Sequence, residues 1–260
     1  MISGKTRFVP LLAHPAQHVR TPSRFNAECE RQGLDMIMVP LDVRPDMLDQ
    51  TVASFRAIAN IAGMVITIPH KASAARLCDR RVGAATLVDA CNIIRREADG
   101  SLTGGMFDGE GFVAGLRHQG HDPAGFRTLL IGAGGAASGV GHALLGAGVM
   151  DLTIANRSLH KAEHLARQLA GAFPDARVVA AAADPAGYDL VVNGTALGMH
   201  ENDALPIDVD RLDKGTVVAE VVMQPDMTPL LIAAEKRGCH IHKGIHMIEQ
   251  QVRLLVDFLK

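Results

Sequence analysis

Short continuous apolar runs alternate along this chain with segments whose apolar positions recur every three to four residues, the signature of strands alternating with helices. Arg7-Phe8-Val9-Pro10-Leu11-Leu12-Ala13 predicts a first strand, which runs into a Pro- and His-containing loop through Thr21-Pro22. Ser23 is a good N-cap for a helix through Gln32, which Gly33 stops. Met36–Leu41 predicts a second strand, Asp46–Asn60 a second helix, and Gly63–Ile68 a buried third strand ending at Pro69. A helix over Ala72–Asp79 and a strand over Ala90–Arg95 follow. Asp99-Gly100 is a hairpin turn that returns the chain along Leu102-Thr103-Gly104-Gly105.

From Asp108 the chain changes domain. Gly109–Gln119 reads as a helix, and Arg127–Ile131 as the strand that opens the second half. Leu152–Ala155, Val178–Ala180, Leu190–Asn193, Thr216–Ala219 and His240–His242 are its later strands. Leu159–Leu169, Thr228–Arg237 and Ile245–Leu259 are its later helices. In the last of these, Ile245, Ile248, Val252, Leu255 and Leu259 share an apolar face that reads as core, with Gln251 one position off the stripe. The alternation implies an α/β architecture without internal repeats, low-complexity tracts or long linkers.

One junction in this pattern carries chemistry. The apolar run Leu129-Leu130-Ile131 ends in Gly132-Ala133-Gly134-Gly135-Ala136-Ala137, and an Ala-rich helical pattern follows to Leu145. Strand, tight glycine turn and helix N-terminus is the order that a dinucleotide site requires. Gly132 allows the turn, Gly134 lets the backbone approach a pyrophosphate, and Ala137 lets helix and strand pack closely. Glycine turns join many strands to helices, so the flanks on both sides carry this reading. The second half is therefore expected to be a doubly wound, Rossmann-type dinucleotide-binding domain.

Composition narrows the class without adding chemistry. The chain has 260 residues, 48% of them hydrophobic, and a formal net charge of -2, which suits one or two globular domains. Near-neutral charge gives no support for nucleic-acid or anionic-membrane partners. No apolar stretch reaches the length of a membrane span, and the N-terminus does not read as a signal peptide. Cys29, Cys78, Cys91 and Cys239 are scattered without pairing or metal-type spacing, so reduced thiols and a cytoplasmic location are expected.

Several segments then line up in order with one family. They are Thr67-Ile68-Pro69-His70-Lys71, Ala90-Cys91-Asn92-Ile93, Gly105-Met106-Phe107-Asp108-Gly109-Glu110-Gly111 and the glycine turn itself. Asn156-Arg157-Ser158, Asn193 through Met199, Pro225 through Leu231, and Gly244-Ile245-His246-Met247 followed by Gln251 continue the series. The chain resembles the shikimate dehydrogenases over almost its whole length. The resemblance implies a substrate-binding α/β domain over residues 1–108, completed by the closing helix 244–260, and an NAD(P)-binding domain over 109–243. It implies an active site between them, where a nicotinamide cofactor exchanges hydride with a hydroxylated cyclic carboxylic acid. It also implies a monomer or homodimer.

By the same resemblance Lys71 and Asp108 fall on the family's catalytic pair, and Thr67, Asn92 and Gln251 on groups that bind the substrate's hydroxyls. Oxidising a secondary alcohol needs a base for the hydroxyl proton, and Lys71 can take it if a partly dry site lowers its pKa. Taken singly, Lys71 reads equally as a solvated lysine, and Asp108 as the N-cap of the following helix. Ala133, Gly135, Ala136, Thr195, Val221 and Gly244 are carried over as cofactor contacts beside Gly132 and Gly134. An NAD enzyme usually places an acidic residue at the end of the second strand of this domain. Here Asn156 and Arg157 stand there, with Lys161 one turn on, so NADP is expected as cofactor, with NAD as the alternative.

The chain also departs from the family's pattern. Two serines of the substrate-carboxylate loop are Val19 and Thr21 here. An asparagine is Val65, an Asn-Thr pair is Met106-Phe107, and a tyrosine is Met223. These losses predict a substrate site more apolar than a shikimate site, and so a different or less hydroxylated substrate as one reading. Arg20 offers a fork to a carboxylate or is an exposed loop arginine. A non-catalytic metabolite sensor is the reading from another class, against which the retained Lys71, Asp108, Asn92 and Gln251 speak. His240, His242 and His246 have metal-like spacing, but no cysteine or carboxylate completes a set, so no metal is expected. His14 and His18 lie in the substrate loop, as solvated histidines or as substrate contacts.

Overall fold

The computed structural model describes residues 2–17 and 19–260, so His18 lies outside the described residues. The chain divides into two compact units, Met1–Phe107 with Gln251–Lys260, and Asp108–Gln250. In the first unit the elements are β1 (Arg7–Ala13), α1 (Thr21–Arg31), β2 (Met36–Asp42), α2 (Leu48–Arg56), β3 (Gly63–Ile66), α3 (Lys71–Arg76), β4 (Arg80–Arg81), β5 (Ile93–Arg96) and β6 (Leu102–Gly105). In the second they are α4 (Asp108–His118), β7 (Arg127–Ile131), α5 (Gly135–Gly146), β8 (Asp151–Ala155), α6 (Leu159–Ala172) and β9 (Arg177–Ala180). There follow β10 (Leu190–Asn193), β11 (Val217–Glu220), α7 (Pro229–Lys236), β12 (His240–His242) and α8 (Ile245–Leu259). The division between the units falls inside α8. Among the described residues, no helix is long and apolar enough to cross a membrane.

The first unit is built on a mixed sheet in the order β2-β1-β3-β5-β6-β4. β1, β2 and β3 are parallel, whereas β5 runs antiparallel to β3 and β6. The continuous apolar runs arise because both faces of this sheet are covered. Leu12, Met64, Ile66 and Ile94 pack with Leu48 and Val52 of α2 on one face. Val9, Leu11, Val65 and Ile93 pack with Phe25 of α1 and with Leu255, Val256 and Leu259 of α8 on the other.

Element boundaries depart from the sequence pattern where local polar groups intervene. α1 begins at Thr21 rather than after Ser23, because Pro22 is suited to the first turn, where its missing N–H has no partner to lose. Ser23 is thus inside the helix, and its hydroxyl donates to the Arg20 carbonyl at 3.1 Å. The second helix is a 3-10 turn at Pro45–Met47 followed by α2, which stops at Arg56. The Arg56 guanidinium is tied to Asp79 at 2.6 Å and to the Leu77 carbonyl at 2.9 Å. α3 starts one residue early, at Lys71, and ends before Cys78, since the Asp79 N–H turns to the Leu102 carbonyl to form the β4 edge. The two-residue β4 has too little pattern to be read from sequence.

The second unit carries a wholly parallel sheet in the order β12-β11-β10-β7-β8-β9. The order reverses between β7 and β10, the switch point at which open α/β sheets bind ligands beyond their strand ends. α4 lies close against α5, where a Cβ on Gly109 would collide with the Gly139 carbonyl.

Candidate functional site

In the second unit the glycine turn sits at the switch point. Gly132 has φ +115, a conformation closed to side chains, and a Cβ there would lie 3.1 Å from the Gly194 carbonyl carbon. The turn after β7 and the loop after β10 therefore touch through glycine backbones. A Cβ on Gly134 would meet nothing within 4 Å, so backbone faces open space. α5 then starts at Gly135, and no side chain caps it. Its first N–H groups and the positive end of its dipole are available to an anion. Ala133, Gly135 and Ala136 lie in this same turn, and Ala137 is buried behind it against Gly194.

The residues at the far end of β8 are exposed. Asn156 fixes its own loop by donating to the Ser158 carbonyl at 2.9 Å. Arg157 and Lys161 face solvent, and among the described residues no carboxylate pairs with either. Thr195 is less available: its hydroxyl donates to Asn193 Oδ1 at 2.6 Å and accepts from the Leu197 N–H. Val221 is half-buried and its N–H donates to the Asn193 carbonyl. Gly244 packs against Val222 so closely that a Cβ would strike the Val222 carbonyl. Met223 is half-buried.

The sequence pattern missed the residue that organises these loops. Glu220, at the end of β11, is fully buried; its Oε1 accepts from Asn193 Nδ2 at 3.1 Å, and its Oε2 has no hydrogen-bond partner among the described residues. Burial raises its pKa, with the neighbouring Asn193 and Thr228 opposing. Asn193 Nδ2 also donates to the Leu197 carbonyl, so one amide braces both loops. The signal was present as a lone acid inside the apolar run Val217-Val218-Ala219-Glu220-Val221-Val222.

In the first unit, Lys71 is half-buried and opens α3. His70 before it is buried, with Nε2 at 2.8 Å from the Val43 carbonyl, which fixes the start of that helix. Thr67 is half-buried and its N–H donates to the Leu12 carbonyl. Asn92 is buried, its N–H donates to the Gly105 carbonyl, and its Oδ1 accepts from the Phe107 N–H at 2.9 Å. It thereby anchors the chain one residue before Asp108. Asp108 itself is buried and is the first residue of α4, in the second unit. Thr21 and Gln251 are buried, so Gln251 is not on a solvent face of α8.

Two of the apolar departures are core rather than lining. Val65 belongs to the cluster with Ile93 and Leu255, and Met106 to the cluster with Leu12 and Met64. A polar group lost at either position exchanges a buried partner for packing and leaves the polarity of a ligand surface unchanged. Val19, Phe107 and Met223 keep partial exposure, with Phe107 edge-on to Phe258 at 5.3 Å. Arg20 is exposed, and His14 is paired with Asp42 at 2.6 Å rather than merely solvated.

All four cysteines are free thiols, as expected from the sequence. Cys78 and Cys91 are brought together from either side of β6, although their spacing in sequence suggested no pair. Among the described residues, no group of three or more His, Cys, Asp or Glu is arranged to hold a metal ion. His242 is fully buried beside Phe112 and His246, with neither ring nitrogen hydrogen-bonded. A separate concavity of about 680 Å³, lined by Glu110, Arg117, His118, His142 and Gln250 among others, contains none of the predicted site residues.

Comparison with known proteins addresses the whole chain. Residues 11–94 match the family model for the shikimate dehydrogenase substrate binding domain, and residues 117–197 that for shikimate/quinate 5-dehydrogenase. The NADP(+) shikimate dehydrogenase of Rubrobacter xylanophilus is 37% identical over 98% of this chain and 88% of its own. A crystal structure of a shikimate dehydrogenase in complex with NADP+ matches with TM-score 0.89 at 30% identity, covering 100% of this chain and 92% of that one. The ligand-free 5-ketofructose reductase of Gluconobacter sp. strain CHM43 matches with TM-score 0.86, also at 30% identity, over 99% of this chain and 94% of that one. Matched in both units and aligned almost end to end, this chain belongs to the shikimate dehydrogenase family.

Proposed function

We propose that this protein is an NADP-dependent dehydrogenase that reversibly oxidises a CH–OH group of a hydroxylated cyclic acid. The observation that carries the reading is the uncapped start of α5 behind Gly132, with open space over Gly134, in a chain of this family. NADP, when bound, would supply the hydride acceptor for the carbinol carbon. Backbone N–H groups at Gly134–Ala136 hold the pyrophosphate, and Arg157 with Lys161 receives the 2′-phosphate. Thr195, Val221 and Gly244 shape the remaining cofactor surface, with Asn156 holding the loop that carries Arg157.

In the first unit Thr67, Asn92 and Gln251 orient the substrate, and Val19 and Thr21 border its carboxylate end. Met223, which is half-buried, is assigned an apolar substrate contact. Lys71 Nζ takes the hydroxyl proton as the C–H bond breaks and returns it in the reverse direction. Asp108 is the carboxylate partner of that proton transfer. The substrate-binding role of the first unit and the cofactor-binding role of the second follow from these assignments.

The partly exposed Val19, Phe107 and Met223 favour a second reading, in which the ring acid is replaced by a less carboxylate-like substrate. The 5-ketofructose reductase among the solved relatives is a precedent for a different carbonyl substrate on this fold. The experiment is absorbance of reduced nicotinamide with NADP and NAD against shikimate, quinate and 5-ketofructose. NADP-linked turnover of a cyclic acid supports the proposal. Turnover of the keto sugar alone replaces the substrate class, and no turnover with any of them, alongside tight NADP binding, favours a sensor.

A further inference from the structure

Cys78 and Cys91 have no part in the reading above, yet they meet beside it. Cys78 follows the last turn of α3, and Cys91 precedes β5 by two residues. Gly104 of β6 leaves the space they occupy: a Cβ there would lie 2.7 Å from the Cys78 Sγ and 3.4 Å from the Cys91 Cβ. The Cys78 thiol donates to the Ala74 carbonyl at 3.3 Å, and each thiol shifts the titration of the other.

Their surroundings divide the roles. Cys78 is partly exposed, and its pKa is lowered by its interaction with Cys91 and by the Arg81 and Arg56 charges, against burial and Asp79. Cys91 is fully buried, and its thiol is pushed well above its ordinary value by the neighbouring Cys78 and by burial. A partly exposed cysteine with the more acidic thiol therefore lies beside a buried one across Gly104, the arrangement of an attacking and a resolving cysteine. The pair borders the proposed site. The Cys91 N–H donates to the Lys71 carbonyl at 3.1 Å, the Lys71 charge acts on the Cys91 thiol, and Asn92 is the next residue.

We propose that Cys78 and Cys91 form a modification site which a hydroperoxide converts to a disulfide, lowering turnover reversibly through the adjoining Lys71 and Asn92. The Cys78 thiolate attacks the peroxide, forming an S–O bond as the O–O bond breaks. The leaving oxyanion takes a proton and departs as water or an alcohol. The Cys91 sulfur, giving up its proton, then attacks the sulfenic sulfur. An S–S bond forms as the S–O bond breaks, and hydroxide leaves as water with that proton. Two thiols are oxidised and one hydroperoxide is reduced. The chemical modification stands independently of the proposed activity, whereas its effect on turnover rests on that activity.

The test treats wild type, Cys78→Ser and Cys91→Ala with graded hydrogen peroxide, alkylates the remaining thiols, maps peptides by mass, and measures turnover in parallel. Wild type should yield a peptide linking Cys78 to Cys91 and an intact mass lower by two hydrogens. Its turnover should fall with the linked fraction and recover with dithiothreitol. Cys78→Ser should form no link and keep its turnover, and Cys91→Ala should hold a sulfenic acid at Cys78 that dimedone captures. Both thiols still alkylating after treatment, or over-oxidation of Cys78 without a link in wild type, overturns the site. A complete link with unchanged turnover overturns the switch while leaving the dehydrogenase reading intact. Absence of turnover in every form defeats the dehydrogenase reading and, with it, the switch, while the peptide map still decides the thiol site.

Discussion

The two units present functional residues in opposite ways. In the second, the proposed anion site is made of backbone: Gly132, Gly134 and the start of α5 are contiguous, and their geometry needs no distant partner. In the first, Thr67, Lys71, Asn92 and Gln251 come from separate segments, and part of their hydrogen-bonding capacity serves the fold itself. Asn92 Oδ1 holds the Phe107 N–H, for example. A backbone site tolerates change around it and recurs across chemistries, while a side-chain site fixes which substrate is used. Cofactor binding should therefore be robust and separable, and turnover fragile.

The sharpest way to break that contrast is Lys71→Ala. Loss of a general base costs typically about 10²–10⁴-fold in rate, so kcat should fall by at least about a hundredfold. The affinity for NADP, measured by fluorescence titration, should stay within about threefold, because nothing in the glycine turn depends on the lysine. A parallel loss of cofactor affinity would show that the division of labour is wrong.

Arg157→Ala tests a side chain assigned to the cofactor side. It should weaken NADP by about 10- to 150-fold relative to NAD, the range for a charge-assisted hydrogen bond. Equal effects on both cofactors would mean that Arg157 serves the adenine face or solvent, and that the second unit reads its ligand through backbone alone.

The same contrast explains what the sequence revealed. The strands were legible because both faces of each sheet are covered, so Leu11-Leu12, Met64-Val65-Ile66 and Leu129-Leu130-Ile131 stay apolar throughout. The glycine turn was legible because its φ +115 residue and its helix are adjacent in sequence. The Cys78–Cys91 pair was not, since it depends on a two-residue edge strand and on the missing Cβ of Gly104. Val65 and Met106 looked like lost ligand contacts because a motif position carries no statement of depth. The buried Glu220 was visible as an acid in an apolar strand, but its neighbours Asn193 and Thr228 lie on other segments.

Acid should separate the two units through their buried histidines. His70 of the first unit has its ring nitrogen hydrogen-bonded, whereas His242 of the second has no partner at either nitrogen. Burial, with the neighbouring His246 and His121 charges adding to it, lowers the His242 pKa from 6.5 to about 3. The folded ring therefore stays neutral while the unfolded ring takes a proton. The associated stability is fully present above pH 6.5 and is lost as the pH falls toward 3. At pH 5 the loss is about 2 kcal/mol. Hydrogen exchange should show β12 and the start of α8 losing protection before β1. His242→Phe, which keeps a ring against Phe112, should flatten that pH dependence. Equal loss of protection in both units would place the acid sensitivity elsewhere.

The smallest expected effect probes the substrate loop. Val19 is half-buried in a segment already held in place: Asp42 binds His14 and accepts from the Ala16 N–H, and the Val19 N–H donates to the Ala16 carbonyl. α1 then begins at Thr21. A serine at 19 would thus present its hydroxyl from a preformed turn, with little further ordering to oppose binding. A hydrogen bond to a carboxylate is worth about 1.5–3 kcal/mol, so Val19→Ser should raise kcat/KM for shikimate by about tenfold or more. The gain should appear mainly in KM, since the carboxylate bond is the same in ground and transition states. Steady-state kinetics with shikimate and with 5-ketofructose, which has no carboxylate, separate the outcomes. A gain confined to shikimate places Val19 at the carboxylate end of a ring acid. No gain with shikimate, together with efficient reduction of the keto sugar by wild type, means that the first unit is shaped around a substrate without that charge.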